Sequence, residues 1–338
     1  MTFKIYTAQK DDEGRRLDRV LRIFAKNLSL SEIYSAIRKR LIRINGNKTS
    51  ADYRLVNGDK ISIADFLIEP SNENSELKGM QKKIEPKPLT EPKKEENNLL
   101  IKSKNYNFQQ LKIIFENENL LFVNKPYGRT VHDGKRNLTN EVLFYLEEKK
   151  HSLPSEKNLS SSLSFRPGPL HRLDKETTGL IAFSKTLNGA VWFSENIKNH
   201  SIKKKYLAII QGRLENEEIW EDELSQKKAK TAVRPLAYGK DPFYNFDVTL
   251  AEFTIFTGRK HQIRLHSFLH NHSLLGDTRY GGRNIPKDKL TNVRSFYLHA
   301  YTLILPKNTL NLPKSLYCPL DIDFLQFLNL CKINFSHL

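Results

Sequence analysis

No run of about 18 apolar residues, the minimum for a membrane-crossing helix, occurs in the sequence. The first residues, MTFKIYTAQKDDEGRR, lack the apolar core of a secretory signal. Cysteine is scarce: Cys318 and Cys331 are the only two in 338 residues. That excludes a disulfide framework and fits a reduced, cytoplasmic setting. Carboxylates are in deficit, 38 Asp and Glu against 55 Lys and Arg, which leaves a formal net charge of +17. So large an imbalance calls for a polyanionic partner. With no apolar span and no leader, nucleic acid is favoured over a membrane surface. At 338 residues the chain has length for two domains and a full core.

Residues 14–63 read as one small unit. Leu17, Val20, Leu21 and Phe24 have helical spacing, as do Ile33, Ile37 and Leu41, and Ser29 or Ser31 is placed to cap the second helix. Two short strands follow, 41–44 and 60–63, with Asn45-Gly46 and Asn57-Gly58 as turn signals. Between positions 14 and 60 there are twelve cations against four carboxylates. Cations at a helix C-terminus, such as Arg38, Lys39, Arg40 and the nearby Arg43, are favoured by the helix dipole alone. Twelve in so short a span point instead to phosphate contacts, with Arg15, Arg16 and Arg19 in the same set. The run RLDRVLRIF…SLSEIYSAIRKRLIRINGNKTSADYRLVNGDKISI resembles the small RNA-binding domain named after ribosomal protein S-four.

Residues 70–107 are rich in Glu, Lys, Asn, Pro and Ser and read as a flexible polar linker. A second polar insertion, 149–169, reads as a surface loop. From Leu111 apolar density rises. Strand-like runs are expected at 112–115, 120–124, 179–184, 206–211, 246–256, 274–275 and 297–305, and helices at 139–149, 189–198 and 261–270. The expected class is α+β: a predominantly antiparallel sheet with flanking helices over 108–335, preceded by the small basic α/β unit.

The decapeptide HRLDKETTGL, residues 171–180, sets a carboxylate, Asp174, on the threshold of the apolar string Leu180-Ile181-Ala182-Phe183. A charge beside a buried strand is costly unless paired. In isolation Asp174 would read as a turn acceptor for Thr177 or Thr178. Four more polar, glycine-punctuated segments border apolar strands: VNKPYGRTVH (123–132), KKYLAIIQG (204–212), TGRKHQIRLH (257–266) and GDTRYGG (276–282). Binding and catalytic groups concentrate at such strand ends.

In this order and spacing, the five segments resemble the RluA-type pseudouridine synthases, and the basic unit in front resembles the RluC and RluD branch acting on large-subunit (23S) ribosomal RNA. The resemblance implies the pseudouridine synthase fold, RNA as partner, and isomerisation of uridine without cofactor or metal, in a monomer with no membrane association. It implies that Asp174 is the catalytic carboxylate, attacking the anomeric carbon or taking the 2′ proton. It implies that Arg264 pairs with that carboxylate, that Tyr206 packs on the uracil, and that Arg172 fills the space left by a flipped base. Lys125 and His132 fall where residues shape the pocket wall or, as RNA-binding groups, touch phosphate, His171 where it orients the loop, and Asp277 in a turn that supports the site. In TGRKHQIRLH, Gln262, Arg264 and His266 alternate with Ile263 and Leu265, as if one edge were polar and the other apolar.

Other readings exist. His261, His266, His270 and His272 invite a metal, since His266 and His270 are four apart, but no nearby Cys and no H-E-x-x-H pattern support it. A glycosidase would use two carboxylates, and the motifs centre on one. A transfer RNA substrate, or a non-catalytic ribosome-assembly factor, remains open beside the ribosomal RNA reading.

Overall fold

The computed structural model describes residues 2–25, 28–68, 111–134, 137–152, 165–286 and 294–334. The linker expected at 70–107 lies outside the described residues. The chain divides into two compact units, whose described residues fall within 2–68 and 111–334.

The N-terminal unit contains strand β1 (Phe3–Thr7), helices α1 (Leu17–Phe24) and α2 (Leu30–Arg38), and strands β2 (Ile42–Ile44) and β3 (Lys60–Ala64). The three strands form one antiparallel sheet in the order β1-β3-β2. Strand β1 lies ahead of the span expected from sequence. The periodicity buries Leu17, Val20, Leu21, Ile33 and Ile37 against Ile42, Ile61 and Ile63. Of the two serines, Ser29 is the cap: its hydroxyl accepts from the Glu32 amide at 3.3 Å, and the Glu32 carboxylate accepts from the Ser29 amide at 2.7 Å. Asp59 of the N-G-D turn is buried and accepts from Asn45, Tyr53 and the Val56 amide, which ties both turns together.

The larger unit is built on one ten-stranded sheet. Its strands are β4 (Lys112–Glu116), β5 (Leu120–Lys125), β6 (Gly168–Pro169), β7 (Thr178–Ser184), β8 (Lys203–Gln211), β9 (Glu218–Glu223), β10 (Lys228–Lys240), β11 (Asp247–Ile255), β12 (Leu298–Ile304) and β13 (Ser315–Tyr317). The order is β4-β5-β7-β12-β8-β11-β10-β9, with β6 on β7 and β13 on β12. Every pairing is antiparallel except β7 with β12. Helices α3 (Leu138–Ser152) and α5 (Gln262–Leu269) send Val142, Leu146 and Ile263 into the core of one face. Helices α4 (Leu187–Lys198) and α6 (Ile322–Leu330) send Phe193, Phe324 and Phe327 into the other. Both faces are therefore covered, which is why β5, β7 and β8 read as unbroken apolar runs.

The departures from the sequence reading have local causes. Strands β9 and β10 went unread because polar residues interrupt them. In β10 only alternate residues such as Ala229, Thr231 and Val233 are buried, and Pro235 lies at a register shift against β11. Helix α6, capped by the Asp321 carboxylate on the Phe324 amide, was also missed. Residues 149–152 of the expected loop continue α3, and 168–169 form β6; 153–164 lie outside the described residues.

Candidate active site

The sheet positions the site. Gly179 of β7, Ala300 of β12, Tyr206 of β8 and Phe253 of β11 form one row across four strands. Gly179 has φ +105, and a Cβ there would lie 2.2 Å from the Ala300 carbonyl oxygen, so the glycine of HRLDKETTGL allows β7 to close on β12. The loop preceding β7 holds Asp174. Its backbone carbonyl, rather than its carboxylate, accepts from the Thr177 amide, and the Thr178 hydroxyl bonds to His299 Nδ1 at 2.8 Å. Neither threonine hydroxyl occupies the carboxylate.

A cleft of about 430 Å³ opens beside this row, lined by Arg172, Asp174, Lys204, Tyr206, His261 and Arg264 among others. Leu173, Ile255, Ile263 and Leu298 add apolar walls suited to a base. A second cleft of about 310 Å³ shares Arg172, Asp174 and His261 and reaches His132 and Arg279. Arg172 and His132 are exposed at these openings, and the ion pairs described for Asp174 run to Arg264 and His261 rather than to Arg172.

Arg264 does face Asp174, with Nη1 3.5 Å from Oδ2, but its principal partner is Asp277. Nε donates to Asp277 Oδ2 at 2.6 Å and Nη2 to Oδ1 at 2.8 Å. The guanidinium also lies between the rings of Tyr280 and Phe296, 4.8 and 4.5 Å from their centroids. Burial works against the charge, and the hydrogen bonds and charge of Asp277 more than offset it, raising Arg264 above its ordinary value. Asp277, expected only as part of a turn, is thus the group that aims Arg264. The sequence signal was slender: a single acid directly after the apolar Leu274-Leu275-Gly276, where burial would demand a cationic partner. The helix also corrects the alternation read in TGRKHQIRLH. On α5, Gln262, Ile263, Arg264, His266 and Ser267 are all buried, and each buried polar member except Ser267 has a described partner.

Tyr206 is buried, and no described hydrogen bond engages its hydroxyl. Burial, and then the charge of Asp174, push its pKa well up, so the phenol stays protonated. Lys204 lines the same cleft. Burial lowers its pKa, and no described ion pair includes it. An amine so placed can receive a substrate phosphate. His171 orients the loop as expected: Nε2 accepts from the Ala182 amide at 3.0 Å and the ring stacks on Phe193. Burial, with Lys204 nearby, pushes it down to about 3, so it is neutral.

Lys125 requires correction. It was expected to touch RNA, yet it is fully buried. Nζ donates to the carbonyls of Pro126 at 3.1 Å, Arg129 at 2.7 Å and Lys175 at 2.9 Å. Burial lowers its pKa to about 7, against the opposing charges of Glu176 and Asp174. Its role is to clamp two loops behind Asp174. In the N-terminal unit, Arg19, Arg38, Lys39 and Arg40 are exposed. Arg16 is engaged by Asp18 at 2.9 Å, and Arg43 donates to the Arg40 carbonyl and covers the Phe3 ring. Arg15 is half-buried.

His266 and His270 both face Asp222, at 3.7 and 2.9 Å, while His261 and His272 lie on other partners. His266 Nδ1 bonds to Thr231, His270 bonds to Asp222 and stacks on Trp220, and His272 bonds to the Gln211 carbonyl. Among the described residues no group of three or more His, Cys, Asp or Glu side chains is placed to hold a metal. No helix among them is long and apolar enough to cross a membrane.

Residues 119–268, which include Asp174, Tyr206 and Arg264, match the family model for RNA pseudouridylate synthase. The chain is similar to ribosomal large subunit pseudouridine synthase C of Buchnera aphidicola subsp. Schizaphis graminum, 29% identical and covering 95% of both chains. It is similar to the protein of the same name in Escherichia coli strain K12, 25% identical over 89% of this chain and 88% of that one. In structure it is similar to human RNA pseudouridylate synthase domain containing 4, with a TM-score of 0.52 and 24% identity, covering 67% of this chain and 95% of that one. The last likeness concerns the fold alone. The aligned motifs, the sheet that gathers them and these relatives agree on one likeness: residues 119–268 are similar to RNA pseudouridylate synthase.

Proposed function

We propose that the chain is an RNA pseudouridine synthase acting on large-subunit ribosomal RNA, with Asp174 as its catalytic carboxylate. The observation that carries the reading is the convergence of Asp174, Tyr206 and Arg264 on one cleft inside the family-matched region. The names of the relatives support the ribosomal substrate. Breaking the bond between uracil N1 and C1′ builds positive charge at the anomeric carbon. Asp174 can attack that carbon or take the 2′ proton, and either role requires it ionised. Arg264, held by Asp277, sets a cation 3.5 Å from that carboxylate. The uracil turns within the apolar walls and rejoins through C5, losing the C5 proton while N1 gains one. Tyr206, protonated and without a described hydrogen-bond partner, packs on the base and lies within reach of that exchange. A stacked uridine must leave its helix first, at a cost of a few kcal/mol, and the exposed guanidinium of Arg172 suits the vacated slot. The exposed cations of the N-terminal unit hold the RNA by its phosphates.

The test is Asp174→Asn on a large-subunit ribosomal RNA transcript. RNA binding is expected to persist and pseudouridine formation to vanish. Continued formation would remove Asp174 from the mechanism. Mapping pseudouridine in total RNA with and without the protein separates the substrates: loss from transfer RNA alone overturns the ribosomal reading, and no loss anywhere leaves the assembly-factor reading.

A further inference from the structure

We propose that His261 is a positioning residue for Asp174, held in place by the Tyr280 hydroxyl; the inference rests on the reaction proposed above. His261 occupies the N-cap of α5 with left-handed backbone, φ 55 and ψ 27, yet its side chain makes no capping hydrogen bond. Positive φ is uncommon for a residue with a Cβ, and such strain concentrates at functional sites. The imidazole is turned to the site instead. Nδ1 lies 2.7 Å from the Tyr280 hydroxyl and Nε2 lies 3.6 Å from Asp174 Oδ1, with the His261 and Tyr280 rings edge to face.

The tautomer follows from the two neighbours. A nitrogen lone pair facing a carboxylate is repelled, so Nε2 carries the hydrogen, and Nδ1 is left to accept from Tyr280. The order is hydroxyl, imidazole, carboxylate, with Asp174 at the end. Its two oxygens then face different donors: Oδ1 faces His261 and Oδ2 faces Arg264, at 3.6 and 3.5 Å. The Arg264 contact is a long hydrogen bond, and the His261 approach lies just beyond one. Catalytic contacts are often long without substrate and tighten when it binds. His261 and Asp174 belong to the wall between the two clefts, so RNA entering either side reaches this pair.

The charged groups around His261 come from four places: Asp174 on the loop before β7, Arg264 on α5, Arg279 beside Tyr280 on the following turn, and the adjoining Lys260. Burial lowers the His261 pKa, Asp174 opposes the shift, and the three cations add to it. The ring is therefore neutral near neutral pH, with one N–H to offer. Acidification adds a second N–H, which displaces the Tyr280 donor and sets a cation beside Asp174.

The experiment is single-turnover pseudouridine formation across pH on a large-subunit ribosomal RNA transcript. It compares His261→Gln, which keeps a donor near Nε2, with His261→Leu, which removes it at similar backbone strain. His261→Asn tolerates left-handed backbone but is too short to reach Asp174, so it controls for folding. The Leu and Asn variants are expected to slow roughly ten- to a hundredfold, the scale for losing one donor to a charged group. The loss falls on the single-turnover rate more than on RNA affinity, and the rate profile across pH changes, because the titrating imidazole beside Asp174 is gone. Gln recovers most of the rate. Tyr280→Phe, which removes the hydroxyl that holds Nδ1, falls between. A wild-type rate and profile in the Leu and Asn variants overturns the proposal. So does an equal loss in Gln and Leu with the rate profile across pH unmoved, the pattern of a merely structural histidine. If the unsubstituted protein makes no pseudouridine in any RNA, the failure is that of the underlying reaction.

Discussion

Arg38, Lys39 and Arg40 end α2 at the surface, with no described ion pair among them. Arg264 and Lys125 in the larger unit are buried, and each is held by acceptors: two oxygens of Asp277 for one, three backbone carbonyls for the other. Both sets of cations look alike in composition. They differ in what surrounds them, and that decides whether a cation can meet a phosphate or serves to shape the protein. A net charge of +17 therefore overstates the surface available to RNA.

The contrast can be broken most severely at Asp277. Asp277→Asn leaves the buried Arg264 without a full counter-charge, so pseudouridine formation is expected to fall on the order of a hundredfold. Urea unfolding should show a loss approaching 3–5 kcal/mol, roughly the scale for a buried ion pair deprived of one partner. An unchanged rate would mean that Arg264 is aimed by some other group. Lys125→Met comes next. It strands three carbonyls and should destabilise the larger unit by about 2–4 kcal/mol, while the salt dependence of RNA binding stays as it was. A shallower salt slope would return Lys125 to the RNA surface. The smallest effect on chemistry is expected from replacing Arg38, Lys39 and Arg40 together by Gln. Affinity should weaken, the slope of log affinity against log salt should drop by roughly 0.7–0.9 per contact removed, and the rate at saturating RNA should hold. A lost rate with intact affinity would reverse the roles of the two units.

The sequence carried the elements whose pattern is one of apolar periodicity. Strands β5, β7 and β8 and helices α1, α2 and α4 are legible because burial imposes their spacing. Strands β9 and β10 were not, because at the sheet's far end only every second residue is covered and Pro235 interrupts the pattern. The site divides in the same way. Asp174, Tyr206 and Arg264 lie in separate motifs that a family resemblance can align, and all three line one cleft. Lys125 was misread because a lysine in a polar segment gives no sign of burial. His261 and Asp277 were passed over as singular functional residues because their importance lies in what they touch.

By itself the sequence determined the demand for a polyanion, the two-part organisation of residue types, and the motifs bordering apolar strands. Those follow from charge and hydrophobic spacing, which are properties of the chain taken in order. Only the tertiary structure decided which acid holds Arg264, that Lys125 faces inward, and that His261 stands between Tyr280 and Asp174. These pairings join residues up to 90 positions apart, as between Asp174 and Arg264. They exist because β7, β12 and β8 bring distant loops to one row of the sheet, where burial makes every unpaired charge costly.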